Sequence, residues 1–183
     1  MSKLEFIEIA KKCIKRAGID ELLENIEKTD FYTAPASRSN HGNYSGGLVD
    51  HSINVFQAMK KLVGDRFDDE TIAIVSLFHD LCKIGYYKTE MRNTKDENGK
   101  WIQVPYYTID DRFPYGHGEK SVYMLSEFMR LGTGEMMAIR WHMGGFVPKE
   151  EYNTLSKAYE EFPLAMYLHL ADMIATYEMD VKK

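Results

Sequence analysis

Six histidines stand out in this chain: His41, His51, His79, His117, His142 and His169. Imidazole is the commonest protein ligand for divalent transition metals. His79 is followed directly by Asp80, and a second acid, Asp172, lies three residues after His169. A His-Asp dipeptide alone is weak, because this composition yields about 0.4 such pairs per chain by chance. Its surroundings carry more weight. The pair lies in an apolar run ahead of Lys83 and Gly85, another histidine stands in an apolar stripe upstream, and Asp172 stands in a third apolar stripe far downstream.

The elements that must position these residues follow from the hydrophobic periodicity. Leu48, His51, Val55, Met59 and Leu62 recur at helical spacing, which puts His51 on an inward face. Ile72, Val75, His79 and Cys82 form the next stripe, with Asp68 or Asp69 as cap, Asp80 one position round from His79, and Gly85 ending it. Asp172 sits among Leu164, Leu168 and Ala175 on a helix expected over 163–179 and started by Pro163. Three helices thus each offer an inward polar group. A buried ionised carboxylate carries a heavy desolvation cost unless a cation or donors face it, and a bound metal meets that requirement. Lys83 lies one helical turn after His79, which puts it on the same face, as part of a site or as a solvated lysine. His169 shares a face with Asp172 and reads equally as a group that orients the carboxylate or as a satisfied core histidine. His117 and His142 belong to no apolar stripe that would explain them as packing.

The remaining chain completes an all-α reading with one insertion. A helix is expected over 2–17, with Leu4, Ile7, Cys13 and Ile14 on one face and Gly18 closing it, then a short helix to Ile26 capped by Asp20. Residues 29–47 are an ordered loop broken by Pro35, Gly42, Gly46 and Gly47. Tyr86–Arg92 and Trp101–Ile109 are rich in β-formers and flank Asn98-Gly99, so a β-hairpin is expected at about residues 86–109. Helices resume over 117–130, 133–142 and 150–161.

These motifs resemble the HD superfamily of metal-dependent phosphohydrolases, whose signature is a His, then His-Asp, then Asp, on helices that converge at a metal. Here those positions are His51, His79-Asp80 and Asp172. Four stretches extend the resemblance across about residues 30–178: Gly46-Gly47-Leu48-Val49-Asp50-His51, His79-Asp80-Leu81-Cys82-Lys83, His117-Gly118-Glu119-Lys120-Ser121 and Trp141-His142 follow the order of members with two metals. The segment Pro35–His41 is similar to that of the HD domain of 3′-to-5′ exoribonucleases, and small bacterial and phage HD hydrolases are similar too. The resemblance implies a single HD domain, residues 1–183, with residues 1–29 as a helical extension. It implies a second metal held by His117 and His142, Asp80 as the catalytic bridge, and Lys83 and Arg38 as cations for substrate. His41 reads as a substrate-side or structural residue and not as a ligand, because the other six positions fill the ligand set. The Gly-Tyr-Pro signature of the cyclic-di-GMP enzymes is absent, and Cys82 replaces a more usual pattern.

The implied chemistry is hydrolysis of a phosphoester, foremost a phosphodiester, in a nucleotide, cyclic nucleotide or short oligonucleotide, by a metal-bound water that ionises near neutral pH. The alternatives are a mononuclear nucleotidase or dNTP triphosphohydrolase, and the di-iron oxygenases that share this fold. Histidine and carboxylate ligands favour Mn, Fe, Co, Ni or Zn over Mg or Ca. Composition narrows the partners. A net charge of −5 on 183 residues lacks the broad basic footprint needed for long nucleic acid, leaving a small phosphorylated substrate. No apolar run could span a bilayer and no signal-peptide core precedes the first helix, so a cytoplasmic protein is expected. Cys13 and Cys82 read as buried free thiols.

Overall fold

The structure is a computed structural model and describes residues 2–180. Its centre is α4 (Asp69–Phe78), whose residues Ile72 to Phe78 are all buried. Such a helix, apolar on every side, is stable only when neighbours cover it completely. α1 (Ser2–Cys13), α3 (Gly47–Val63) and α6 (Thr133–Trp141) do so, while α8 (Pro163–Ile174) packs across α3 and α6. α5 (His117–Ser126) lies on α6, α7 (Tyr152–Glu161) backs α8, and α2 (Ile19–Ile26) packs beside α1. Asp68 caps α4 by accepting the Thr71 backbone N–H at 2.8 Å. Pro163 opens α8 at its first turn, where a missing N–H costs nothing.

Two local expectations are corrected at the N-terminus. Leu4 is 74% exposed, and the buried row of α1 is Phe6 and Ala10, continued by Ile14. Phe6 rotates the helix because its ring meets Phe31, Tyr32 and Phe78 edge-on, an aromatic cluster that outweighs one leucine. Asp20 does not cap α2. Gly18 occupies that position with φ 95°, and Asp20 is left exposed beside Lys11.

The start of α6 is fastened to the end of α1 by a polar clamp. Arg16 Nη1 and Nη2 donate to Glu135 Oε2 and Oε1 at 2.7 and 2.9 Å, and Glu70 accepts the backbone N–H groups of Lys15 and Arg16 at 2.6 and 2.8 Å. Glu135 also takes the Gly132 N–H at 2.6 Å.

The hairpin forms as expected, between β1 (Tyr87–Lys95) and β2 (Trp101–Ile109), antiparallel with Tyr87 opposite Ile109 and Lys95 opposite Trp101. Its turn differs from a two-residue Asn-Gly turn, which needs positive φ at both residues. Gly99 has φ 77° but no non-glycine residue among those described has positive φ, and the Asp96 side chain instead accepts the Asn98 and Lys100 N–H groups. The ribbon projects from the bundle with Met91, Trp101 and Ile109 exposed. Its root is closed by the Asp110 N–H donating to the Tyr86 carbonyl at 2.9 Å. No helix among the described residues is long and apolar enough to cross a membrane.

Candidate metal centre

Five helices deliver the chemistry to one point. His51 projects from the second turn of α3, whereas His79 and His142 each occupy the position just after a helix, α4 and α6 respectively. The stripe expected to run through Cys82 therefore ends at Phe78. Asp80 leaves helical geometry at φ −102° and ψ 21°, and Leu81–Lys83 form a 3-10 turn. His117 begins α5, and Asp172 lies near the end of α8. Gly118 permits the last approach: a Cβ there would lie 2.3 Å from the Arg140 carbonyl oxygen and 2.7 Å from that of Ile139, so only glycine lets α5 touch α6 so closely. This contact sets the His117 and His142 rings 5.1 Å apart.

The ring nitrogens divide by role. His79 Nδ1 donates to the Ser76 carbonyl at 2.8 Å, and His142 Nδ1 to the Ile139 carbonyl at 2.7 Å. A carbonyl only accepts, so both Nδ1 atoms carry the proton and both Nε2 lone pairs are bare. These acceptors are last-turn carbonyls with no helical N–H to bind. His51 Nδ1 meets Asp180 Oδ2 at 2.9 Å, and His117 Nδ1 meets Cys82 Sγ at 3.3 Å. All four Nε2 atoms turn inward. Those of His51 and His79 lie 3.8 and 3.4 Å from Asp80 Oδ2, and those of His117 and His142 lie 2.8 and 3.6 Å from Asp80 Oδ1. Each oxygen of one carboxylate thus faces its own pair of imidazoles. Asp172 Oδ1 joins at 3.1 Å from His51 Nε2.

The carboxylates of the site are held in their ionised form by their neighbours. Burial raises a carboxyl, yet Lys83, His79, His117 and His142 around Asp80 hold it well below the usual carboxylate range. Burial likewise opposes ionisation of Asp172, and the His51 hydrogen bond overcomes it. Burial would lower His51, but hydrogen bonds to Asp172 and Asp180 lift it to about 9. His117 is lowered by burial, with Asp80 opposing.

The other expected residues take varied places. Lys83 Nζ donates to Asp80 Oδ2 and to the Ala36 carbonyl, both at 2.6 Å, so it ties the 35–42 loop to the carboxylate. Arg38 is exposed at the tip of that loop with no hydrogen bond or ion pair among the described residues. The half-buried His41 ring lies 5.0 Å from that of His51, and burial followed by the nearby His51 pushes it down to about 4. His169 Nδ1 meets the carbonyl of His142 at 2.8 Å, and the ring packs against Gly144, where a Cβ would lie 2.4 Å from it. His169 therefore braces the backbone that carries His142, rather than the carboxylate of Asp172. Cys82 is buried and free, and burial, then Asp80, pushes its thiol up to about 12. Cys13 is only partly buried. The sequence reading missed Asp180, whose tail position shows neither periodicity nor motif.

A metal fits these residues. His79 Nε2 is buried, bears a lone pair, and has no hydrogen-bond partner, since its approach to Asp80 lacks hydrogen-bond geometry. Orphaned buried polar atoms are rare and call for a reason, and an ion on that lone pair supplies one. His51, His79 and Asp80 offer ligand atoms within 4.8 Å of one another, as do His79, His142 and Asp172. Imidazole with carboxylate suits a divalent transition ion. No protein-family model, no curated protein and no solved structure matches this chain.

Proposed function

We propose that this chain is an HD-type metal-dependent phosphohydrolase that cleaves a phosphoester, foremost a phosphodiester, of a nucleotide, cyclic nucleotide or short oligonucleotide. The observation that carries the reading is the division of Asp80, with one oxygen toward His51 and His79 and the other toward His117 and His142. That pattern suits a carboxylate shared between two ions, with Asp172 completing the set. Divalent ions held there supply Lewis acidity toward a phosphoryl oxygen and activate water near neutral pH.

The chain's own residues perform the rest. Lys83 neutralises Asp80 at Oδ2 and, through the Ala36 carbonyl, holds the 35–42 loop against the site. Arg38, unpaired and two residues from the Lys83-bound carbonyl, is the cation best placed to meet a substrate phosphate. Asp172 and His117, with side chains 18% and 29% exposed, are the most accessible of the six ligand residues and mark the face from which substrate enters.

The test is metal analysis of the purified protein. Mn(II)-loaded protein is then assayed on bis-p-nitrophenyl phosphate, nucleotides, cyclic dinucleotides and short oligoribonucleotides. Diester cleavage that disappears with H79A and with chelator is expected. A fully loaded protein that releases nothing from any of these refutes the hydrolase, and a mixed-valence iron signal in the same protein moves the assignment to oxygen chemistry.

A further inference from the structure

Resting on that metal-centre reading, we infer that Asp180 is a positioning residue that fixes the tautomer and orientation of His51. The need for it comes from where His51 sits. His79 and His142 follow the ends of their helices and can turn Nδ1 onto a free last-turn carbonyl. His51 lies in the second turn of α3, where the carbonyls one turn back are committed to the helix, and that of Leu48 is additionally taken by Ser52 Oγ at 3.0 Å. An acceptor must therefore come from elsewhere in the chain. Without one, the ring could flip or present the wrong nitrogen to the centre.

The C-terminal end of the described chain supplies it. After α8 the backbone widens into a π turn over Ala175–Met179, closed by the Asp180 N–H donating to the Ala175 carbonyl at 2.8 Å. That turn brings the Asp180 carboxylate under α3 with its side chain 2% exposed. Oδ2 accepts from His51 Nδ1 at 2.9 Å, and Oδ1 accepts from Asn54 Nδ2 at 2.8 Å. Asn54 lies on the same face of α3, one turn beyond His51. Both oxygens are thus held by α3, which leaves the carboxylate one orientation. Among the four imidazoles around Asp80, only His51 has its outward nitrogen on a carboxylate. A carboxylate behind a ligating imidazole fixes its tautomer and strengthens the inward nitrogen as a donor.

The test titrates Co(II) into metal-free wild type, D180N, D180A, H51A and H51A/D180A. Affinity is read by calorimetry and the ligand field by visible absorption. Wild type is expected to bind, D180A to bind about 10- to 100-fold more weakly, and D180N to fall between. H51A/D180A should bind no more weakly than H51A, because the effect passes through that ring. Nitrogen NMR of the metal-free proteins, recorded in alkaline solution where the His51 ring is neutral, reads the tautomer directly: His51 should carry its Nδ1 proton in wild type and lose that preference in D180N, even if D180A does not fold. Wild type that fails to bind Co(II) overturns the metal centre and this inference with it. Wild type that binds, with D180A equal to it and an unchanged His51 signal in D180N, overturns the inference alone.

Discussion

Replacing Gly118 with Ala adds one methyl at the tightest point of the centre. The new Cβ would stand 2.3 Å from the Arg140 carbonyl oxygen and 2.7 Å from that of Ile139. Ordinary carbon–oxygen contacts are about 3.3 Å or longer, so α5 must retreat from α6 by roughly 1 Å. Overpacking of this kind costs about 1–3 kcal/mol, at the upper end here because both sides are backbone. Alanine's helix preference returns about 1 kcal/mol. The net loss of about 2 kcal/mol corresponds to a Tm lower by about 4–8 °C for a chain of this size. The same oxygen of Ile139 anchors His142 Nδ1, so the methyl disturbs both His117 and His142. Loss of such an orienting partner weakens metal binding by about 10- to 100-fold. G134A provides the control: Gly134 also occupies the second position of a helix, but a Cβ there meets nothing within 4 Å. Thermal melts and Co(II) titrations of both variants make the measurement. G118A that melts and binds like G134A would refute the claim that this contact assembles the centre.

Three other outcomes are expected. Mn(II) or Co(II) at about 100 times its Kd should stabilise the wild type by about 2.7 kcal/mol, a Tm rise of roughly 5–11 °C reversed by chelator, and H79A should lose most of it. R16M leaves Glu135, whose side chain is 6% exposed, without its forked partner, and should cost about 3 kcal/mol in urea unfolding. The double variant R16M/E135M should recover much of that loss, and a double variant as unstable as R16M would count against the clamp as an ion pair. D68A should cost about 1 kcal/mol at pH 7 by removing the α4 cap. The Thr71 N–H holds the Asp68 carboxyl below its usual value, so its contribution is full above the unfolded value of about 3.9 and fades as pH falls through the lower folded value. The gap between wild type and D68A should therefore close in acid, and a gap that persists at pH 2 would contradict the cap.

Much of this protein was legible in sequence because the relevant signals are local or periodic. The stripe of α3 told which way His51 points, the cap at Asp68 and the break at Pro163 located two helices, and β-formers around Asn98-Gly99 announced the ribbon. His51, His79, Asp80, His117, His142 and Asp172 could be named as metal-ligand candidates, and the structure gathers them around one buried carboxylate. Other features exist only in three dimensions. Which face of α1 is buried depended on the Phe6 aromatic cluster, not on the helix's own pattern. Which nitrogen of each histidine faces inward depended on acceptors as near as three residues away, at Ser76, and as far as 129 away, at Asp180. Four histidines were thus named by the sequence as residues able to bind a metal, but only the packing of α3, α4, α5, α6 and α8 decided that all four turn Nε2 toward Asp80. Periodicity says which side of a helix is apolar, while the aim of a ring nitrogen is set by hydrogen-bond partners that no local pattern encodes.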